Sequence, residues 1–268
     1  MTETAQFELH YEVAGEGPSV VLLHEGIADS RMWEPQWKTF PPLHRTVRYD
    51  MRGFGESPPA SGSVSHSRDL VGLIERLELV PTALVGVSLG GAVALDVTVA
   101  RPELVSALVL VGSGLRGHEF SAETQAGWAE EEEAFERGDL DAAVETNLLM
   151  WVDGPRRSPE DVDPDLRRRV GEMQRRAFEL DQSVEGEPTF EVLAPDHAER
   201  LGEIAVPTLI LVGELDRPEM HEIADKLEAG IPNTRRATIE ATAHVPSMER
   251  PQRFDELVLG FLAEVQRA

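Results

Sequence analysis

The sequence predicts an α/β chain: a mostly parallel, doubly wound sheet with helices on both faces, interrupted by one long helical stretch. Three observations carry this. Short runs that are apolar throughout, such as Val20-Val21-Leu22-Leu23, Thr82-Ala83-Leu84-Val85 and Thr208-Leu209-Ile210-Leu211-Val212, read as strands buried on both faces. Segments with helical spacing separate them, as a sheet with crossover helices requires. Between about residues 115 and 200 the composition changes and no strand is legible. With 268 residues and 41% apolar content, the chain is long enough for one domain with a substantial core.

Taken in order, residues 7–13 alternate apolar and polar like a strand, and Gly15-Glu16-Gly17-Pro18 turns into a second at 19–24. A short helical piece around residues 33–40 leads to a strand at 45–49. Leu70, Leu73, Ile74 and Leu77 mark a helix over 67–79 that stops before Pro81. A strand at 82–85, a helix from Ala92 and a strand at 106–112 continue the alternation. The middle stretch then offers helices at 123–137, 139–150 and 164–180. Its run Glu130-Glu131-Glu132-Glu133 reads as a solvated helix face. Strands at 208–212 and 236–240 and a helix over 252–265 close the chain.

Bulk composition excludes several classes. Acidic residues outnumber basic ones 49 to 25, for a net charge of −24, so no excess of cations exists to bind nucleic acid. No run approaches the roughly 20 apolar residues of a membrane span. Residues 1–6 have neither a basic start nor an apolar core segment, so no secretory signal is expected and a cytoplasmic location is the default. The absence of cysteine excludes disulfides, thiol catalysis and zinc–thiolate sites.

The chemistry is concentrated at strand ends. Gly86-Val87-Ser88-Leu89-Gly90 places a serine between glycines where an apolar strand gives way to a helix. A serine hydroxyl is a weak nucleophile and must be both presented and deprotonated. The G-x-S-x-G spacing does the presenting, because side chains at 86 and 90 would collide with backbone at so tight a turn. Past the strand at 208–212, Gly213-Glu214-Leu215-Asp216 puts two carboxylates on one loop, and Ala243-His244-Val245-Pro246 offers a base. Asp216 is the favoured acid and Glu214 the fallback. His24, at the end of an internal strand, reads as a structural residue bonding loop backbone, and Asp50 as a loop brace with Arg52. His10, His44, His66, His118, His197 and His221 read as surface residues.

The chain order Ser88, Asp216, His244 resembles that of the α/β-hydrolase family. Two further segments resemble it as well: Leu22-Leu23-His24-Glu25-Gly26-Ile27, the loop that supplies half of an oxyanion hole, and Asp50-Met51-Arg52-Gly53-Phe54-Gly55-Glu56-Ser57, the loop after the next strand. The resemblance runs from about residue 7 to residue 261. It implies a sheet of about eight strands, a core formed by 1–114 and 201–268, and a helical cap at 115–200. It further implies Ser88 as nucleophile, His244 as base, Asp216 as its orienting acid, and the N–H groups of Gly26 and Leu89 as the oxyanion hole. Neither metal nor cofactor is implied. Glu25, Ile27, Trp128 and Trp151 are the candidates for lining a substrate pocket. Glu25 departs from the family pattern, which has glycine there. A carboxylate beside a developing oxyanion would be destabilising, so Glu25 is expected to point away or to pair with Arg31 or Arg52.

Residues also sort the reaction. Epoxide hydrolases and dehalogenases need an aspartate where this chain has Ser88, and the two tyrosines, Tyr11 and Tyr49, lie outside the cap. The His24 loop and the Ser88 turn look most like small esterases and enol-lactonases, so hydrolysis of a small carboxylic ester or lactone is the leading expectation. Carbon–carbon hydrolases and lyases keep the serine and stay open as an alternative. So does a ligand receptor with vestigial hydrolysis, which repeated turnover would exclude. A monomer and a homodimer are equally open.

Overall fold

The computed structural model describes residues 8–267; residues 1–7, including the segment read for a secretory signal and Phe7, lie outside the described residues. The chain begins with β1 (Tyr11–Ala14), β2 (Ser19–Leu23), α1 (Gln36–Thr39), β3 (Arg45–Tyr49), β4 (Ser63–Val64) and α2 (His66–Arg76). It continues through β5 (Thr82–Val87), α3 (Leu89–Ala100) and β6 (Val105–Val111). The helical stretch follows as α4 (Ala122–Glu136), α5 (Leu140–Asn147), a π-helical turn at Leu148–Asp153 and α6 (Pro164–Asp181). After β7 (Thr189–Phe190) come β8 (Thr208–Gly213), α7 (Pro218–Gly230), β9 (Thr234–Ile239), α8 (Pro246–Glu249) and α9 (Pro251–Val265).

Among the described residues, seven strands form the main sheet in the order β1-β3-β2-β5-β6-β8-β9, and of their pairings the β1–β3 one alone is antiparallel. The strands the sequence marks as apolar throughout are the interior ones, and every residue of β5 and β8 is buried. The edge strand β9 is mostly half-buried or exposed, in keeping with its Thr-Arg-Arg-Ala-Thr composition. α3 packs on β5 and β6 through Val93, Ala94, Leu95, Val97 and Val99. Full burial of a side chain the size of Leu95 or Val97 stabilises the fold by about 1.5–3 kcal/mol.

Strand order reverses between β2 and β5: β3 is laid down on one side of β2, and β6, β8 and β9 on the other side of β5. The carboxyl ends of strands beside such a reversal open onto a crevice where ligands bind in open α/β sheets. His24, Glu25 and Gly26 follow β2 there, and Ser88 follows β5.

The middle stretch is helical with one addition. β7 pairs in parallel with β4, Ser63 opposite Thr189 and Val64 opposite Phe190, in a separate two-stranded ladder. Two residues are too few for an alternation pattern to register, and the pairing depends on a partner more than 120 residues away. Asp96, buried within α3, also anchors the returning chain. Its carboxylate accepts the N–H groups of Leu193 at 2.9 Å and Ala194 at 2.6 Å.

Candidate active site

Ser88 is the hinge between β5 and α3. Its φ of 49° and ψ of −110° lie in a region that L-residues rarely occupy. The neighbouring glycines permit the turn: a Cβ at Gly90 would come within 2.5 Å of the Leu23 carbonyl oxygen, and one at Gly86 would strike the Gly90 carbonyl. Backbone hydrogen bonds hold Ser88: its N–H donates to Val111 O at 3.0 Å, and its carbonyl accepts the N–H groups of Ala92 and Gly114. The side chain is half-buried at the start of α3, where the helix's first N–H groups and its dipole favour negative charge.

His244 and Asp216 meet beside it. His244 Nδ1 donates to Asp216 Oδ2 at 2.9 Å, both side chains being almost wholly buried. With Nδ1 carrying the proton, Nε2 is left as the basic nitrogen. Burial pushes the His244 pKa down, but the charge and hydrogen bond of Asp216, helped by Glu25, outweigh that and hold it above the ordinary histidine value. Asp216 is fixed in turn by the Arg217 N–H at 2.8 Å. Gly112, at the end of β6, lines this pair: a Cβ there would stand 3.1 Å from the imidazole. Since Ser88 donates to the residue preceding Gly112, the ends of β5, β6 and β8 converge with the His244 loop. Glu214 is elsewhere: it is exposed, and its carboxylate accepts the Ala241 N–H at 2.8 Å.

On the opposite wall, Gly26 and Leu89 approach each other, with Gly26's missing Cβ 3.9 Å from the Leu89 side chain. Both residues are half-buried and so reach the crevice. His24 secures this loop, its Nδ1 2.8 Å from Glu25 O and its Nε2 accepting the Met51 N–H at 2.9 Å.

Glu25 differs from expectation. Arg31 pairs with Asp29 at 2.6 Å and Arg52 with Asp69 at 2.8 Å, so neither serves Glu25. Its side chain is fully buried and both carboxyl oxygens lack a hydrogen-bond partner. Burial drives its pKa up to about 8, with His244 opposing and Asp216 and Glu249 reinforcing the rise. Asp50 does brace its loop, but through the N–H groups of Ser30 at 2.7 Å and Glu56 at 2.9 Å rather than through Arg52.

Of the other pocket candidates, Trp151 lies against His244, ring centroids 4.7 Å apart, and its carbonyl accepts the His244 N–H at 3.3 Å. It is carried by the π-helical turn, a distortion that recurs at functional sites. Trp128 stands behind it, 6.4 Å from Trp151 and edge-on to Phe120. Ile27, buried, continues the Glu25–Gly26 turn.

Sequence reasoning missed Arg157 and Glu249. Glu249 accepts the Ala243 N–H at 2.7 Å, next to His244, and pairs at 2.6 Å with Arg157, which also donates to the carbonyls of Val152 and Asp153. Arginine and glutamate 92 positions apart carry no local signal of this pairing. His44, His66 and His197 are buried rather than on the surface. Burial, with the charges of His24 and Arg52, pushes the His66 pKa down to about 4. Among the described residues, no group of three or more His, Asp or Glu is placed to hold a metal, and no helix is long and apolar enough to cross a membrane.

Known proteins share this architecture. A hydrolase named for 2-hydroxy-6-oxononadienedioate and 2-hydroxy-6-oxononatrienedioate from Pseudomonas putida is 30% identical, the alignment covering 95% of this chain and 91% of the relative. A protein of the same name from Paraburkholderia xenovorans is 27% identical over 96% of this chain and 91% of its own. The crystal structure of the enol-lactonase from Burkholderia xenovorans superposes with a TM-score of 0.77 at 22% identity, covering 95% of this chain and 96% of that one; this likeness is one of fold. The family profile of the alpha/beta hydrolase fold matches residues 18–251, and the chain therefore belongs to the α/β-hydrolase family.

Proposed function

We propose that the protein is a serine hydrolase that cleaves a small carboxylic ester or lactone. The observation that carries this is the buried His244–Asp216 hydrogen bond beside a serine held at a strained strand-to-helix turn. His244 Nε2 takes the Ser88 hydroxyl proton as the oxygen attacks the substrate carbonyl. The N–H groups of Gly26 and Leu89 hold the tetrahedral oxyanion, and Asp216 stabilises the imidazolium. His244 then passes the proton to the departing alcohol oxygen, and water, deprotonated by the same imidazole, releases the acid from the acyl-serine. Residues 115–200 act as the cap, placing Trp151 and Trp128 over the crevice.

A second reading, hydrolysis of a carbon–carbon bond by the same residues, is favoured by the names of the relatives at 27–30% identity over most of the chain. One comparison separates the two. Wild type and Ser88→Ala are assayed with p-nitrophenyl acetate and butyrate, and in parallel with a 2-hydroxy-6-oxo-dienoate. Repeated ester turnover that vanishes in the variant supports the ester reading. Cleavage of the dienoate alone gives the second reading the site. Ester cleavage that persists in Ser88→Ala sinks the proposed nucleophile.

A further inference from the structure

The Glu25 carboxyl has no place in the chemistry above, yet its surroundings set it apart from the other described acids. It is fully buried, and neither oxygen has a hydrogen-bond partner. It directly precedes Gly26, one of the two proposed oxyanion donors. The charged groups that act on it are His244, which favours its ionisation, and Asp216 and Glu249, which oppose it. The cations around these groups are committed: Arg157 to Glu249, and Arg217 to Thr124 and Glu123. An anion in that position would be neither solvated nor paired, and a buried carboxyl so placed takes up a proton instead.

We propose that Glu25 is a positioning residue for the serine chemistry: as a neutral carboxylic acid behind the oxyanion loop it leaves His244 free to accept the Ser88 proton, and its ionisation shuts the site. The inference rests on the proposed function and deepens it. Glu25 and His244 hold one proton between them in the working state. With that proton on Glu25, the imidazole is a base. Transferred to His244, it leaves a carboxylate–imidazolium pair that cannot deprotonate serine. Lost to solvent, it leaves a second anion close to the developing oxyanion. The two groups titrate as a coupled pair, so activity should pass through a maximum rather than level off at alkaline pH.

The experiment is the profile of kcat/KM for p-nitrophenyl acetate from about pH 5 to about pH 10, for wild type and Glu25→Gln, with Ser88→Ala as the blank. Wild type should fall above about pH 8, approaching tenfold per pH unit. Glu25→Gln should lose that fall. Its acid limb should stay where the wild type's is, because the Glu25 carboxyl is already neutral on that limb. An alkaline fall that survives in Glu25→Gln overturns the proposal. If neither protein turns over the ester, the ester reading fails separately, and ring-proton NMR of His244 decides: a second inflection of its shifts near about pH 8 in wild type that is absent in Glu25→Gln supports the role, and its absence from wild type or its survival in the variant overturns it. If Glu25→Gln does not fold, wild type alone suffices. A protonated-carboxyl infrared band that persists at about pH 6 and disappears above about pH 8 supports the proposal, and its absence at the lower pH overturns it.

Discussion

Two carboxylates sit two positions apart on one loop, yet only one reaches the imidazole. Asp216 is buried and bonds His244 Nδ1, whereas Glu214 points outward to the Ala241 N–H. Asp216→Asn should leave the fold intact while lowering kcat/KM by about 10³–10⁴-fold, because an amide neither fixes the tautomer nor stabilises the imidazolium. Glu214→Gln, an exposed change that keeps an acceptor, should stay within about threefold of wild type. Parallel rate measurements with circular dichroism check both; a reversed order would move the acid to Glu214. The three proposed catalytic residues stood out in the sequence because each follows a strand and their chain order resembles that of the α/β-hydrolase family; the structure joins Asp216 to His244. The state of Glu25 was not, since protonation depends on which cations are already committed, and those commitments are made by Asp29 and Asp69 in space.

Elements that were clear in the sequence are those whose own side chains hold them in place, such as β5 and β8, or α2 with its periodic leucines. What sequence did not convey is how the middle stretch is fastened to the sheet. Among the ties that do this are Asp96 on the backbone of Leu193 and Ala194, and Arg157 bridging the π-helical turn to Glu249. Asp96→Ala would strand two N–H donors and should lower stability by about 2–4 kcal/mol, seen as a fall in Tm of several degrees. Arg157→Met leaves Glu249 as a buried unpaired charge, a loss of about 3–5 kcal/mol. Adding Glu249→Gln should recover most of it, because a neutral amide still accepts the Ala243 N–H. Thermal melts of the single and double variants test this, and a double variant no more stable than Arg157→Met would contradict the pairing.

For the whole molecule, buried titratable groups set opposing slopes of stability against pH. The folded-state pKa of Glu25 is raised to about 8 from an ordinary 4.5, so the folded protein binds the extra proton and loses stability as pH climbs between those values. His66 is depressed to about 4 from 6.5, so the unfolded chain binds the extra proton and stability is lost as pH falls through that window. Glu25→Gln should therefore remove the fall between about pH 4.5 and about pH 8, a gain of the order of 3 kcal/mol near pH 7 relative to wild type. Denaturant unfolding at several pH values measures it, and equal slopes in the two proteins would refute it. The net charge of −24 is a surface property by comparison, with pairs such as Arg168–Glu172 exposed on both sides and worth little each.

The seat of Trp151 has an optical consequence. Its indole lies 4.7 Å from the His244 ring, while Trp33 is sealed in the core and Trp37 lies under the Arg48 guanidinium. A protonated imidazole quenches the emission of an adjacent indole, and a neutral one does so far less. The emission of Trp151 should thus follow the charge of His244, over a background from Trp33, Trp37 and Trp128, and be readable in the absence of any substrate.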